Sequence, residues 1–137
     1  MSEGKNTRHR RWILTVPAEG EKGVARDTLE DALAPYESYL GQLERGKGGT
    51  DYLHWQLVLV HAEPIRFSTI KKKLPTAHVE PVRDLRASLA YVQKDDTRVE
   101  GEKPLVKGEI SPGPGRGHRS DLDELRRRIL DGQETAD

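Results

Sequence analysis

Hydrophobic and polar residues alternate most cleanly over Tyr52-Leu53-His54-Trp55-Gln56-Leu57-Val58-Leu59-Val60. With no Gly or Pro inside it and a turn-rich Gly46-Lys47-Gly48-Gly49 just before it, this stretch predicts a strand. Side chains alternate across a strand, so Trp55, Leu57 and Leu59 share one face, and His54, Gln56, Val58 and Val60 the other. The imidazole and the amide emerge side by side at the strand's beginning, on a face that turns aliphatic further along.

The pattern extends in both directions. Arg11-Trp12-Ile13-Leu14-Thr15-Val16 predicts a strand ended by Pro17, with Trp12, Leu14 and Val16 on one face. Residues 18–23 read as an acidic loop. A helix follows from about Ala25, with Asp27 or Thr28 as cap and Leu29, Ala32 and Leu33 as its apolar stripe, and Pro35 ends it. Tyr36 to Leu43 suits a helix through Tyr39 and Leu43, or equally a strand, given Gly41 and the turn beyond. As a strand it finishes at Glu44, and antiparallel pairing across a loop from Arg45 to Asp51 brings Glu44 close to His54.

After the His54 strand, Pro64 marks a break. Ser68 to Leu74 predicts a short helix with a Ser cap, stopped by Pro75. Ala77 to Val82 predicts a short strand that Pro81 pushes to an edge or ends. Asp84 to about Lys94 predicts a helix, with Leu85, Ser88, Leu89 and Val92 at helical spacing. Leu105 to Ile110 predicts a last strand, and Ser111 to Gly117 a linker. Ser120 then caps an amphipathic helix carrying Leu122, Leu125, Ile129 and Leu130. No internal repeat is visible. The order predicts an α+β fold, a central antiparallel sheet of about five strands with helices packed on one face. Residues 1–112 form the domain; 113–137 are a linker and the start of a following helix.

Composition narrows this picture only a little. A length of 137 residues suits one domain, and 34% apolar with 5% aromatic residues makes its core modest. Net charge is zero, so no global excess marks a nucleic-acid binder. Locally, Arg8-His9-Arg10-Arg11 and Lys71-Lys72-Lys73 are basic, each reading as solvated surface or as the wall of a basic groove. Arg126-Arg127-Arg128 reads as the exposed face of the last helix. The absence of cysteine excludes disulfides and thiolate metal sites and fits a reducing compartment. No apolar run approaches the roughly 20 residues of a membrane span, and the charged N-terminus is not a signal peptide. These features predict a soluble, intracellular chain with no membrane partner.

Two constellations could carry chemistry. His54 and Gln56 can offer a nitrogen and an oxygen to one cation, and a carboxylate from Glu44 would complete an open N/O site. Such a site suits Mn²⁺ or Mg²⁺ better than structural zinc. The plainer alternative is an edge histidine. In the second, Tyr91 and Lys94 stack one helical turn apart. A phenol, with pKa about 10, is a poor nucleophile at neutral pH unless positive charge is near, and an ammonium can stabilise a phenolate or a phosphate under attack. The plainer alternative is a tyrosine packed on the sheet and a lysine in solvent. The expectation is that the two constellations face each other.

In this order the pieces resemble the HUH-type replication-initiator endonucleases of rolling-circle replicons, especially the Rep proteins of circovirus-like single-stranded DNA viruses. Trp12-Ile13-Leu14-Thr15-Val16-Pro17 resembles the first motif, with Val16-Pro17 where Leu-Asn is common. His54-Trp55-Gln56 resembles the second, His-hydrophobic-Gln, and Tyr91-Val92-Gln93-Lys94 the third, Tyr-x-x-Lys. Gly117-His118-Arg119-Ser120-Asp121-Leu122 is similar to the segment that follows the nuclease domain. No Gly-rich phosphate loop of a helicase follows, so the resemblance implies the nuclease part of a longer protein, or a compact relative.

The resemblance implies a fold of the HUH, ferredoxin-like kind and a metal-dependent nicking and rejoining of origin DNA. Tyr91 would be the nucleophile and Lys94 its aid; Glu44, His54 and Gln56 would hold Mn²⁺ or Mg²⁺. The partner would be single-stranded DNA at a replication-origin stem-loop, contacted by Arg8, Arg10, Arg11, Thr15, Lys71, Lys72 and Lys73. The compartment would be the host nucleus for a eukaryotic virus and otherwise the cytoplasm. This chain would be monomeric, with oligomers possible for the full-length protein. Two rivals share the architecture: a non-catalytic, RNA-recognition-like binder of single strands, and a phosphoesterase acting through activated water.

Overall fold

A computed structural model describes residues 7–46 and 52–111, and in it the apolar strands pair into one antiparallel sheet buried on both faces at its centre. β1 (Arg8–Pro17) and β3 (Leu53–Arg66) pair antiparallel, with Leu14 opposite Leu57 and Thr15 opposite Gln56. On the other side of β3 lies β2 (Ser38–Arg45), with Gln42 opposite Gln56 and Glu44 opposite His54. Short strands β4 (His78–Pro81) and β5 (Leu105–Lys107) form the edges, in the order β4-β1-β3-β2-β5. All neighbours run antiparallel. Helices α1 (Arg26–Leu33), α2 (Phe67–Lys73) and α3 (Leu85–Tyr91) pack on this sheet. The fold is therefore α+β, consistent with a generic ferredoxin-like architecture, and the predicted His54 strand is its central member. The linker beyond Ser111, the Ser120 helix with Arg126-Arg127-Arg128, and the 113–137 segment lie outside the described residues, as do residues 47–49 of the predicted glycine turn.

The helices do not all lie on one face, as the element order predicts. Leu29 and Leu33 of α1 and Ile70 of α2 join Trp12, Leu14, Val16, Trp55, Leu57 and Leu59 in one cluster. Leu85 and Leu89 of α3, with Val92 after it, join Leu40, Val58 and Ile110 in another. The strands are apolar on both faces, and each face requires a cover because exposed aliphatic surface is costly.

Local boundaries differ in instructive ways. Neither Asp27 nor Thr28 caps α1, which starts after Ala25 without a side-chain cap, and Ser68 lies inside α2. Asp84 does cap α3, its carboxylate accepting from Ala87 N at 3.0 Å. Pro64 does not break β3: the β1–β3 register shifts between His9 and Arg11, so β3 carries the proline through an irregular stretch where no ladder bond needs its missing N–H. The last strand stops at Lys107, before Gly108 at a φ of 66°.

Gly41 lets β2 close onto β3 beside the polar end of the sheet. A Cβ there would sit 2.2 Å from Gln56 O and 2.4 Å from Leu57 Cβ. Gly41→Ala is expected to destabilise the fold by about 2 kcal/mol or more, read as a lower urea midpoint. An unchanged midpoint would contradict this close approach.

Candidate functional site

One face of the sheet changes character along its length. Under α3 it is aliphatic, with Leu40 and Val58 against Leu85, Leu89 and Val92. Beyond that cover the same alternation brings Gln42 and Glu44 on β2, His54 and Gln56 on β3, and Thr15 on β1 to the same side. The helix ends at Tyr91, so Lys94 is not helical as expected. A turn instead carries it over the polar end, with Lys94 N bonded to Tyr91 O at 3.4 Å.

Glu44 is the centre of this end. It is almost wholly buried, at 1% exposure. Lys94 Nζ lies 2.9 Å from its Oε1 and 3.0 Å from its Oε2. His54 Nε2 stands 3.3 Å from Oε1, and Gln42 Nε2 donates to Oε2 at 2.9 Å. Burial alone would push this carboxyl up, but the bonds from His54, Lys94 and Gln42, with the Lys94 charge, outweigh it and bring the pKa down to about 2.

This low value sets a sign for acid stability. A carboxylate ionised down to about pH 2 when folded, against an ordinary 4.5, stabilises the fold fully above pH 5 to 6. That contribution is lost as pH falls through the folded value. The stability difference between the wild type and Glu44→Gln should therefore shrink by on the order of 3 kcal/mol from pH 6 to pH 2 in urea titrations. A difference that does not change with pH would contradict the pairing.

Tyr91 completes the group. Lys94 Nζ lies 3.9 Å from the centre of its ring, so the ammonium covers the aromatic face while it binds Glu44. The residue is 48% exposed. Tyr91, Lys94, Glu44 and His54 thus form one continuous chain of contacts. Gln56 lies one pleat further along β3 on the same face, its Oε1 accepting from Thr15 Oγ1 at 3.2 Å and its Nε2 donating to Leu14 O at 3.1 Å. No protein-family model and no curated protein matches this chain.

Among the described residues no group of three or more His, Cys, Asp or Glu could hold a metal ion. The proposed set differs in kind, since its third donor is an amide. The ring nitrogen of His54 that faces Glu44 is Nε2, so that atom, and not the buried, unpartnered Nδ1, would bind an ion shared with Glu44. The Gln56 carbonyl has a second lone pair beyond the one Thr15 uses. By donor type alone, one imidazole, one carboxylate and one amide oxygen would suit a hard divalent ion. Its competitor for Glu44 is the Lys94 ammonium.

The other predicted contacts scatter. Thr15 faces the site, but its hydroxyl is spent on Gln56. Arg8, Arg10 and Arg11 line an open hollow with Pro64 and Val82, and Arg10 Nε donates to Ala62 O at 2.7 Å. They lie toward the far end of β1, and even Arg11 is about 13 Å along the strand from Thr15. Lys71, Lys72 and Lys73 ride on α2, which packs on the opposite face. Lys71 caps Pro75 O and Ala77 O, and Lys73 Nζ lies 4.6 Å from the centre of the Tyr36 ring.

Gln42 has a part that the sequence reading does not assign. Its Nε2 donates both to Glu44 Oε2 and to Lys94 O at 2.8 Å, tying the turn after α3 to the carboxylate. Its signal is the alternation itself, two residues before Glu44 on the same strand face.

Proposed function

We propose that this chain is the nuclease domain of a rolling-circle replication initiator of the HUH type, nicking and rejoining single-stranded DNA through Tyr91. The observation that supports the reading is the unbroken contact chain Tyr91–Lys94–Glu44–His54, which joins residues of the second and third motif-like segments through a Lys94–Glu44 pair fifty positions apart. The half-exposed Tyr91 can reach a phosphate in solvent, whereas the buried Glu44 cannot leave its place.

In this reading Glu44, His54 and Gln56 would hold a Mn²⁺ or Mg²⁺ ion, whose chemistry is to polarise a non-bridging oxygen of the scissile phosphate. The Tyr91 oxygen attacks phosphorus in line. The bond from phosphorus to the 3′-oxygen breaks, the phenol gives up its proton, and the departing oxygen takes one up as a 3′-hydroxyl. The 5′-phosphate stays on Tyr91, and reversal by a 3′-hydroxyl rejoins the strand. Lys94, once free of Glu44, offsets the charge building on the phosphate. Gln42 and Thr15 keep Glu44 and Gln56 in place.

A second reading is a non-catalytic single-strand binder of the same architecture. Two observations favour it: no cluster of three acidic or histidine ligands is found among the described residues, and Glu44 is already engaged by three donors. Incubation with a stem-loop DNA labelled at either end, with Mn²⁺, separates the readings. The nuclease reading expects label from the 5′-phosphate side of the nick to travel with the protein in denaturing gels. Intact DNA would leave the binder, and two free ends a hydrolase.

A further inference from the structure

Among the described residues, Tyr52 and Tyr91 are the large hydrophobic side chains that remain exposed, at 44% and 48%. The other large aromatics go inward: Trp12, Tyr36, Tyr39 and Trp55 are all buried. Phe67 is partly buried, so among the described Trp, Tyr and Phe residues these two alone are exposed, and both adjoin the Glu44 group. Tyr91 carries the Lys94 ammonium on its ring. Tyr52 stands against His54, with ring centres 5.4 Å apart and planes tilted by 44°. It immediately precedes β3 and is two residues before His54, so the strand's alternation sends both rings to one side. A bond from Gly46 N to Tyr52 O at 3.0 Å fixes the backbone there.

A half-exposed ring held by its backbone, beside a buried polar group, has no packing role that requires its exposure. We infer that Tyr52 is a stacking platform for one unpaired nucleobase, the base flanking the phosphate offered to Tyr91. Every base has a π-face, so such a platform is tolerant of sequence and selects for unpaired strands, whose bases are free to leave their own stack. The ring also supplies what Arg8, Arg10 and Arg11 cannot from the far end of β1: affinity within reach of the reacting phosphate. The proposal takes single-stranded DNA as the ligand from the preceding section, but it does not need the DNA to be cut.

The test uses the whole chain, EDTA in place of divalent ions, and a twelve-nucleotide oligothymidine with one 2-aminopurine moved along it. Stacking quenches 2-aminopurine fluorescence. The wild type and Tyr52→Phe should bind alike and quench the probe at a restricted set of positions. Tyr52→Ala should lose that quenching and raise Kd about tenfold or more, with circular dichroism and melting temperature verifying that it remains folded. Should it misfold, Tyr52→Leu keeps apolar bulk without a π-face and should show the same loss. Unchanged Kd and quenching in the folded Tyr52→Ala or Tyr52→Leu variant overturns the platform, as does a wild type that leaves the probe bright at every position. Nicking by a folded variant that binds like wild type would retain the nuclease reading and remove only Tyr52. Base-dependent quenching without any covalent adduct would do the reverse.

Discussion

Tyr91→Phe is expected to abolish the covalent protein–DNA adduct, by at least ~10³-fold, while changing DNA affinity less than about twofold. The substitution is unusually clean here. It removes one oxygen from a ring that is already half in solvent and leaves the face on which Lys94 rests, 3.9 Å from the ring centre. Nothing buried is opened, so stability should stay within about 0.5 kcal/mol of wild type. Lost adduct with retained binding then isolates the nucleophile from the fold. Adduct formation by the phenylalanine variant would assign the chemistry to another side chain, with Tyr52, the other exposed tyrosine beside His54, the first to test.

Lys94→Met should move two quantities in opposite directions. The ammonium now lies within 3.0 Å of both Glu44 oxygens, so in the proposed reaction a divalent ion would have to displace it from that carboxylate. Hydrogen bonds between charged groups contribute about 1.5–3 kcal/mol each when buried, and less where one partner, as here, is partly open to solvent. Removing this competitor should tighten Mn²⁺ binding about tenfold, measured by calorimetry or by the loss of free-Mn²⁺ electron spin resonance. The same change removes the positive charge near the reacting phosphate and should slow adduct formation about 10²-fold at saturating Mn²⁺. A lysine that is only a structural partner would produce no tightening. Unchanged or weaker Mn²⁺ binding would therefore contradict competition at Glu44.

Much of this arrangement was legible from patterning. A strand needs only alternation to declare its faces, which is why His54 and Gln56 could be paired before any coordinates. The hairpin logic that put Glu44 near His54 followed from turn chemistry and gave the observed pairing. Periodicity does not report how two clusters share their charges. Lys94 was expected beside the phenol, and its bond to Glu44, fifty residues away in sequence, depends on a turn that helical spacing does not describe. The aliphatic residues Val58 and Val60, opposite Trp55 and Leu57, already implied that both faces needed covering, yet element order alone favoured one. Caps were misjudged at Asp27, Thr28 and Ser68 because a polar residue near a helix start signals a cap only when its oxygen reaches a free N–H. Sequence does not report which face a basic run meets: Lys71, Lys72 and Lys73 are contiguous in sequence, and α2 carries them to the side of the sheet away from Glu44.

The central claim is that a phenol at the end of α3 works on a phosphate held next to Glu44 and His54. Its most direct test is to incubate the chain with origin-type stem-loop DNA and Mn²⁺, digest the DNA and the protein, and map the modified peptide by mass spectrometry. The account predicts a 5′-nucleotide phosphate on Tyr91 and none on Tyr52. Modification of Tyr52, or cut DNA with no modified tyrosine, would contradict it.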